Sequence, residues 1–127
     1  MTVWTSNDLA SIGAADELHL ASFKQDGMRR MPVTVWVVRV GDELYVRAYL
    51  GSETGWFRQI LRRPEGRIVA GGVAQKVTLV DANSDAVLNQ EIDAAYQVKY
   101  RRYSATYVDP TLAPPARATT LKLVPSA

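Results

Sequence analysis

At 127 residues the chain has room for one domain and a modest core, with little apolar surface to spare for a deep private pocket. Hydrophobic residues make up 47% and charged residues 22%, ordinary values for a globular protein, and no apolar run nears the ~18 residues of a membrane span. The net charge of +2 is weak, no Lys/Arg run exceeds two residues, and cysteine is absent. This composition excludes a polyanion-binding tract, disulfides, thiolate metal sites and cysteine nucleophiles. Small anions are the expected partners of the dispersed arginines. No basic segment followed by an apolar stretch opens the chain, so a cytoplasmic location is expected.

Thr5, Ser6, Asn7 and Asp8 are helix N-cap candidates, and Leu9 and Ile12 follow at helical spacing, which predicts a helix over about 7–15. Leu18, Leu20 and Ser22 then alternate with His19, Ala21 and Phe23, the pattern of a strand, and Gln25-Asp26-Gly27 turns the chain. Pro32 can open a second strand over 33–40, a run dense in β-branched residues. Gly41-Asp42 marks a hairpin into a third strand over 43–50. In that strand Leu44, Val46, Ala48 and Leu50 share one face, and Tyr45, Arg47 and Tyr49 the other.

After a loop over 51–55, a short helix is expected over 56–63, with Phe57, Ile60 and Leu61 as its apolar stripe and Pro64 and Gly66 as its stop. Two strands follow near 67–70 and 75–80, joined at Gly71-Gly72. Asn83-Ser84 caps the longest helix, about 85–102, whose stripe is Val87 or Leu88, Ile92, Ala95, Tyr96 and Tyr100. Pro110, Pro114 and Pro115 predict an irregular stretch before a last strand over 118–124. The order α-β-β-β-α-β-β-α-β implies a single domain over 1–127, a six-stranded antiparallel barrel with helices packed outside it.

Arg47 and Tyr49 fall two residues apart on one strand face, with Trp56 and Arg58 at the next helix start. If loop 51–55 turns tightly, the four converge. Arginine forks and helix N-termini bind phosphate or carboxylate, and Trp56 or Tyr49 can stack on a flat ring. The competing reading pairs Arg47 with Glu43 or Glu53 and spreads the aromatics over the barrel exterior. Trp36 reads as core packing or as a wall beside a ring. Single His19 cannot build a histidine metal site, so no metal is expected. Tyr96, Lys99, Tyr100, Tyr103 and Tyr107 form a tyrosine-rich tract, read as packing and dimer contact, with Lys99 able to reach an anionic group. No triad or phosphate-loop motif is present, and no protein acid or base stands out as catalytic.

The segments Asp16-Glu17-Leu18, Val35 to Gly41, Leu44-Tyr45-Val46-Arg47, Gly55-Trp56, Gly66-Arg67-Ile68 and Ile92 to Tyr96, continuing to Lys99-Tyr100, resemble a small bacterial family, DUF2255, within the flavin- and deazaflavin-binding split barrels. The resemblance runs from about residue 8 to 124. It implies a cofactor, FMN or the deazaflavin F420, held at the groove of a homodimer, with neither nucleic acid nor membrane as a partner. In the oxidase branch of that superfamily a Gly-Ser loop followed by Arg-Lys and Gly holds the flavin phosphate. Gly51, Ser52 and Gly55 match that layout, while Glu53 and Thr54 stand in place of the basic pair. In the deazaflavin branch a tryptophan opens the helix after the loop, and Trp56 fits that place. The cofactor-binding set implied is Arg47, Tyr49, Gly51, Ser52, Trp56, Arg58 and Trp36, with Lys99, Tyr100 and Tyr103 on the substrate or interface side. The expected function is a flavin- or deazaflavin-dependent oxidoreductase acting on a small organic molecule. The alternative is a non-catalytic barrel that sequesters a planar anion such as a flavin or haem, or one that has lost cofactor binding.

Overall fold

A computed structural model describes residues 3–126. Twelve elements follow one another: α1 (Ser6–Ala14), β1 (Leu18–Ser22), β2 (Val33–Val35), β3 (Val37–Val40), β4 (Glu43–Val46), α2 (Gly55–Arg62), β5 (Glu65–Ala70), β6 (Val73–Asp81), α3 (Ala86–Lys99), α4 (Ala105–Leu112), α5 (Pro114–Arg117) and β7 (Leu121–Pro125). All strand pairs are antiparallel, in the order β2-β1-β5-β6-β7-β4-β3.

That order closes the sheet. β2 and β3 lie at its two ends, yet only Trp36 separates them in sequence. One run of chain therefore serves both edges: Leu18 pairs with Val35, and Val37 pairs with Val46. The sheet must roll until its two end strands come together at Trp36. This corrects the expected single strand over 33–40 and turns six strands into seven.

Alternation sets two cores. Leu18, Leu20, Leu44, Val46, Ile68, Val77 and Leu123 fill the barrel, and Trp4, Leu9 and Ile12 at one side and Phe57 and Ile60 at another pack against them. Trp4 Nε1 donates to the Leu123 carbonyl, 3.0 Å away, and so anchors the N-terminal segment to β7. On the outer face of β3 and β4, Val38 and Tyr45 meet Ile92, Tyr96 and Tyr100 of α3 and Val108 of α4. Thr5 caps α1 by accepting from Asp8 N–H, and Asp85, rather than Asn83 or Ser84, caps α3 by accepting from Leu88 N–H. At the β5–β6 turn Gly71 has φ +56°, and a Cβ there would lie 2.2 Å from the Ser11 carbonyl oxygen, so only glycine lets the turn dock on α1.

Two expectations need correction. The strand expected over 43–50 ends at Val46, because Ala48 N–H turns to the Thr119 hydroxyl and Gly51 N–H closes a turn on the Ala48 carbonyl. Leu50, expected to share a face with Leu44, Val46 and Ala48, is 69% exposed while those three are buried. The stretch expected to be irregular holds α4 and α5 instead. Pro114 occupies the first turn of α5, where its missing N–H costs nothing, and Pro110 sits inside α4 while Val108 and Thr111 beside it are buried. Packing outweighs the one lost helix bond. Among the described residues no helix is long and apolar enough to cross a membrane.

Candidate functional site

The barrel seam, the segment after β4 and the start of α2 converge on a cavity of about 220 Å³. Trp36 enters from the seam, Tyr49 and Leu50 from the post-β4 segment, and Thr54 and Trp56 from the N-terminus of α2. Thr34 and Val35 of β2, Tyr96 of α3 and Tyr107 and Thr111 of α4 complete the wall together with Arg47. Five aromatic side chains around so small a space suit a flat, largely apolar ring. Trp36 is held in place from behind by Tyr100, its ring 3.9 Å away and within 5° of parallel, and Tyr103 leans on it at 5.2 Å. Trp36 thus packs against Tyr100 and Tyr103 and also lines the cavity.

Arg47 is 3% exposed. Its Nε donates to the Thr120 hydroxyl, one Nη to Asp93 Oδ1 at 2.6 Å and the Thr111 carbonyl, and the other Nη to the side-chain and main-chain oxygens of Asn89. All five guanidinium donors are thus used within the protein. Asp93 is shared with Arg117, and Asn89 in turn donates to the carbonyls of Ala82, Asn83 and Asp85. Arg47 therefore ties β4 to α3 and α4. It pairs, as the competing reading expected, but with Asp93 rather than with Glu43 or Glu53.

The remaining expected residues divide. Tyr49 and Trp56 reach the cavity. Arg58 is exposed and outside the lining, as is Ser52, and Gly51 is buried against Pro115, whose Cβ lies 3.2 Å from where a Gly51 Cβ would be. The φ of Gly51, +94°, serves a turn packed under α5. Lys99 donates to the Val37 carbonyl at 2.5 Å, and burial pulls its pKa down to about 8. Tyr100, fully buried, donates to the Asp16 carbonyl at 2.7 Å and accepts from Val37 N–H at 3.2 Å. Tyr96 and Tyr100 are core residues, so the tract read as dimer contact is internal at these positions. Tyr103 is half-buried and Tyr107 exposed. His19 is exposed beside the Thr34 hydroxyl.

Thr34, Val35, Leu50, Thr54, Tyr96, Tyr107 and Thr111 line the cavity without having been expected there, and two of them carry free hydroxyls. Tyr96 is 1% exposed, and its hydroxyl has no hydrogen-bond partner among the described residues. The main-chain N–H of Arg47 acts on the hydroxyl oxygen without a well-formed bond, and the hydroxyl proton has no acceptor. Burial pushes the Tyr96 pKa up, so the group stays a proton-bearing donor. The Thr54 hydroxyl is buried and unpartnered too, although Thr54 stands at the N-cap of α2, where such a hydroxyl ordinarily accepts from the helix. Two orphaned hydroxyls on one aromatic cavity call for an explanation by a ligand or ordered water. Apolar periodicity placed Tyr96 on a packing stripe, and no local signal shows that its hydroxyl lacks a partner.

The residues present suit the ring of a flavin-type cofactor but not its phosphate in the expected manner. The aromatic walls and free hydroxyls match a planar ring with a polar edge. The basic pair is replaced by Glu53 and Thr54, and Arg47 has no donor to spare.

Similar structures carry the same architecture. A candidate pyridoxamine 5'-phosphate oxidase from Listeria innocua superposes with a TM-score of 0.64 at 15% identity, covering 94% of this chain and 90% of that one. A FAD-binding protein from Mesorhizobium loti gives 0.59 at 9% identity, covering 99% and 93%, and an F420 reductase gives 0.51 at 15% identity, covering 94% and 93%. Likeness at such identities establishes the split-barrel fold alone. No curated protein matches the sequence. The model of one family, described as an uncharacterized protein conserved in bacteria (DUF2255), matches residues 8–123, and with nearly the whole chain so covered the protein belongs to that family.

Proposed function

We propose that the cavity binds the ring of a flavin-type redox cofactor, FMN or the deazaflavin F420, and that the protein is an oxidoreductase for a small organic molecule. One observation carries this reading: an aromatic slot at the seam of a split barrel holds two buried hydroxyls with no partner. Trp36, Tyr49 and Trp56 would flank the ring, and Tyr96 and Thr54 would meet polar atoms on its edge. The cofactor would supply the hydride chemistry. The protein would place the ring and exclude water. Tyr49, Leu50 and Tyr107 are 56%, 69% and 63% exposed around the cavity, and a second copy of the chain would cover them, forming a homodimer groove.

The test is a titration with riboflavin, FMN and F420, read by quenching of ligand fluorescence and by the visible spectrum. Micromolar binding of at least one, with transfer of electrons from the reduced cofactor to a quinone or nitro acceptor, is the expected result. A folded protein that binds none of the three overturns the proposal. A second reading, binding without turnover, draws support from the occupied donors of Arg47. Binding with no transfer to any acceptor would favour it.

A further inference from the structure

Beside the aromatic cavity runs a groove of opposite character. It lies between the N-terminal part of α2 and the β1–β2 hairpin, lined by Lys24, Arg29, Arg30, Gly55, Trp56 and Gln59 among others. Trp56 borders both hollows. Past Arg29 a further hollow continues along the hairpin, where Arg67 and Lys76 face Phe23 and Gly27. Five cations therefore line two adjoining hollows, and no carboxylate does.

Such a track is costly without a partner. Arg67 and Lys76 stand directly opposite each other in the β5–β6 ladder, and like charges in that position repel. Glu65 relieves one side only, at 3.4 Å from Lys76 Nζ and also 3.4 Å from Arg63 Nε. Among the described residues Lys24, Arg29, Arg30 and Arg67 form no ion pair. Arg30 Nε is shielded from solvent and has no partner. Asp26, the acid of the intervening turn, is used to accept from Met28 N–H. Trp56 lies on the wall of the aromatic cavity and on the wall of this cationic groove, so the cations stand one side chain away from the ring slot.

We infer that this groove is an anion subsite: Arg29, Arg30 and Lys24 hold a phosphate or carboxylate on the tail of the ring ligand, and Arg67 and Lys76 extend the track for a second negative charge. The inference rests on the ring reading of the cavity. It replaces the Gly51-Ser52 loop, Arg47 and Arg58 as the place where the anion is neutralised. Exposed arginine forks suit this task, since each phosphate contact is a charge-assisted bond and is weakened by salt.

The experiment compares lumiflavin, riboflavin and FMN, which share a ring and differ in tail, by fluorescence quenching at low and at physiological salt. The wild-type protein should bind FMN about tenfold or more tightly than riboflavin at low salt, with the ratio falling as salt rises. In the Arg29→Gln/Arg30→Gln variant the FMN advantage should drop to about threefold or less. Its riboflavin and lumiflavin affinities, and its thermal midpoint, should stay at wild-type values. Arg58→Gln should leave the FMN advantage intact. If FMN and riboflavin bind equally to the wild type, the anion subsite is refuted while the ring site stands. If the advantage survives in Arg29→Gln/Arg30→Gln but falls in Arg58→Gln, the anion sits at the α2 face instead. If none of the three ligands binds, the ring reading fails and the subsite falls with it.

Discussion

Replacing Tyr96 with phenylalanine tests the site through two effects of opposite sign. The substitution removes one oxygen and keeps the ring, together with its packing beneath the Arg47 guanidinium, whose carbon lies 5.6 Å from the ring centroid. In the free protein the hydroxyl is buried without a partner, so its removal ends a desolvation cost. A buried unsatisfied polar group costs about 1–3 kcal/mol. Taking the lower end, because the Arg47 N–H offers partial relief, Tyr96→Phe should stabilise the free protein by about 1 kcal/mol. For a domain of this size that raises the melting temperature by about 4 °C. In the complex the hydroxyl would donate to the ring edge, and the variant leaves that ligand atom buried and unpaired. Affinity should then fall by about 1–3 kcal/mol, about five- to 150-fold. Thermal denaturation followed by circular dichroism measures the first effect, and titration with riboflavin the second. A variant that melts lower than the wild type would show that the hydroxyl is satisfied in the free protein and refute the reasoning. So would one that melts higher and binds with unchanged affinity.

Asp93→Ala should cost about 3–5 kcal/mol by urea denaturation, since it strips the carboxylate from a guanidinium that is fully buried. Arg47→Ala should likewise lower stability, so any loss of ligand binding in it will track unfolding, and its urea midpoint must be measured beside its affinity. Lys99 gives a pH signature. Burial lowers its pKa to about 8 in the folded protein against ~10.4 in the unfolded chain, so between these values the unfolded state binds more protons and stability rises with pH. Tyr45, Tyr96 and Tyr100 have raised pKa values, chiefly from burial, and reverse the trend above about 10, where unfolded tyrosines ionise first. Lys99→Met should flatten the rise between pH 8 and 10 in urea midpoints, and an unchanged slope would contradict this assignment. Leu50→Glu should turn a dimeric mass into a monomeric one by light scattering if the exposed rim of the cavity meets a second copy. A wild-type monomer at micromolar concentration would remove the dimer from the proposal.

Periodicity, turns and the cap of α1 are local properties and were legible, whereas the cap of α3 fell on Asp85 rather than on Asn83 or Ser84. The α1 cap at Thr5, the alternation of Leu44, Tyr45 and Val46, and the Gly71-Gly72 turn follow from residues within a few positions of one another. So does the strand-rich, hairpin-dominated order that places the chain among antiparallel barrels. That Tyr49 and Trp56 would come together was legible from the short loop between them, and both line the cavity, as Trp36 does. The fate of Arg47 was not. Its partners lie 42 to 73 positions away, on elements whose approach depends on the whole sheet having closed. The same closure divided the strand over 33–40 at Trp36 and buried Tyr96 with its hydroxyl unpaired. A sequence states which side chains carry charge or an aromatic face. Which of them the protein consumes for itself, and which it leaves free beside a cavity, is decided only when distant segments pack together and each donor finds an acceptor or does not.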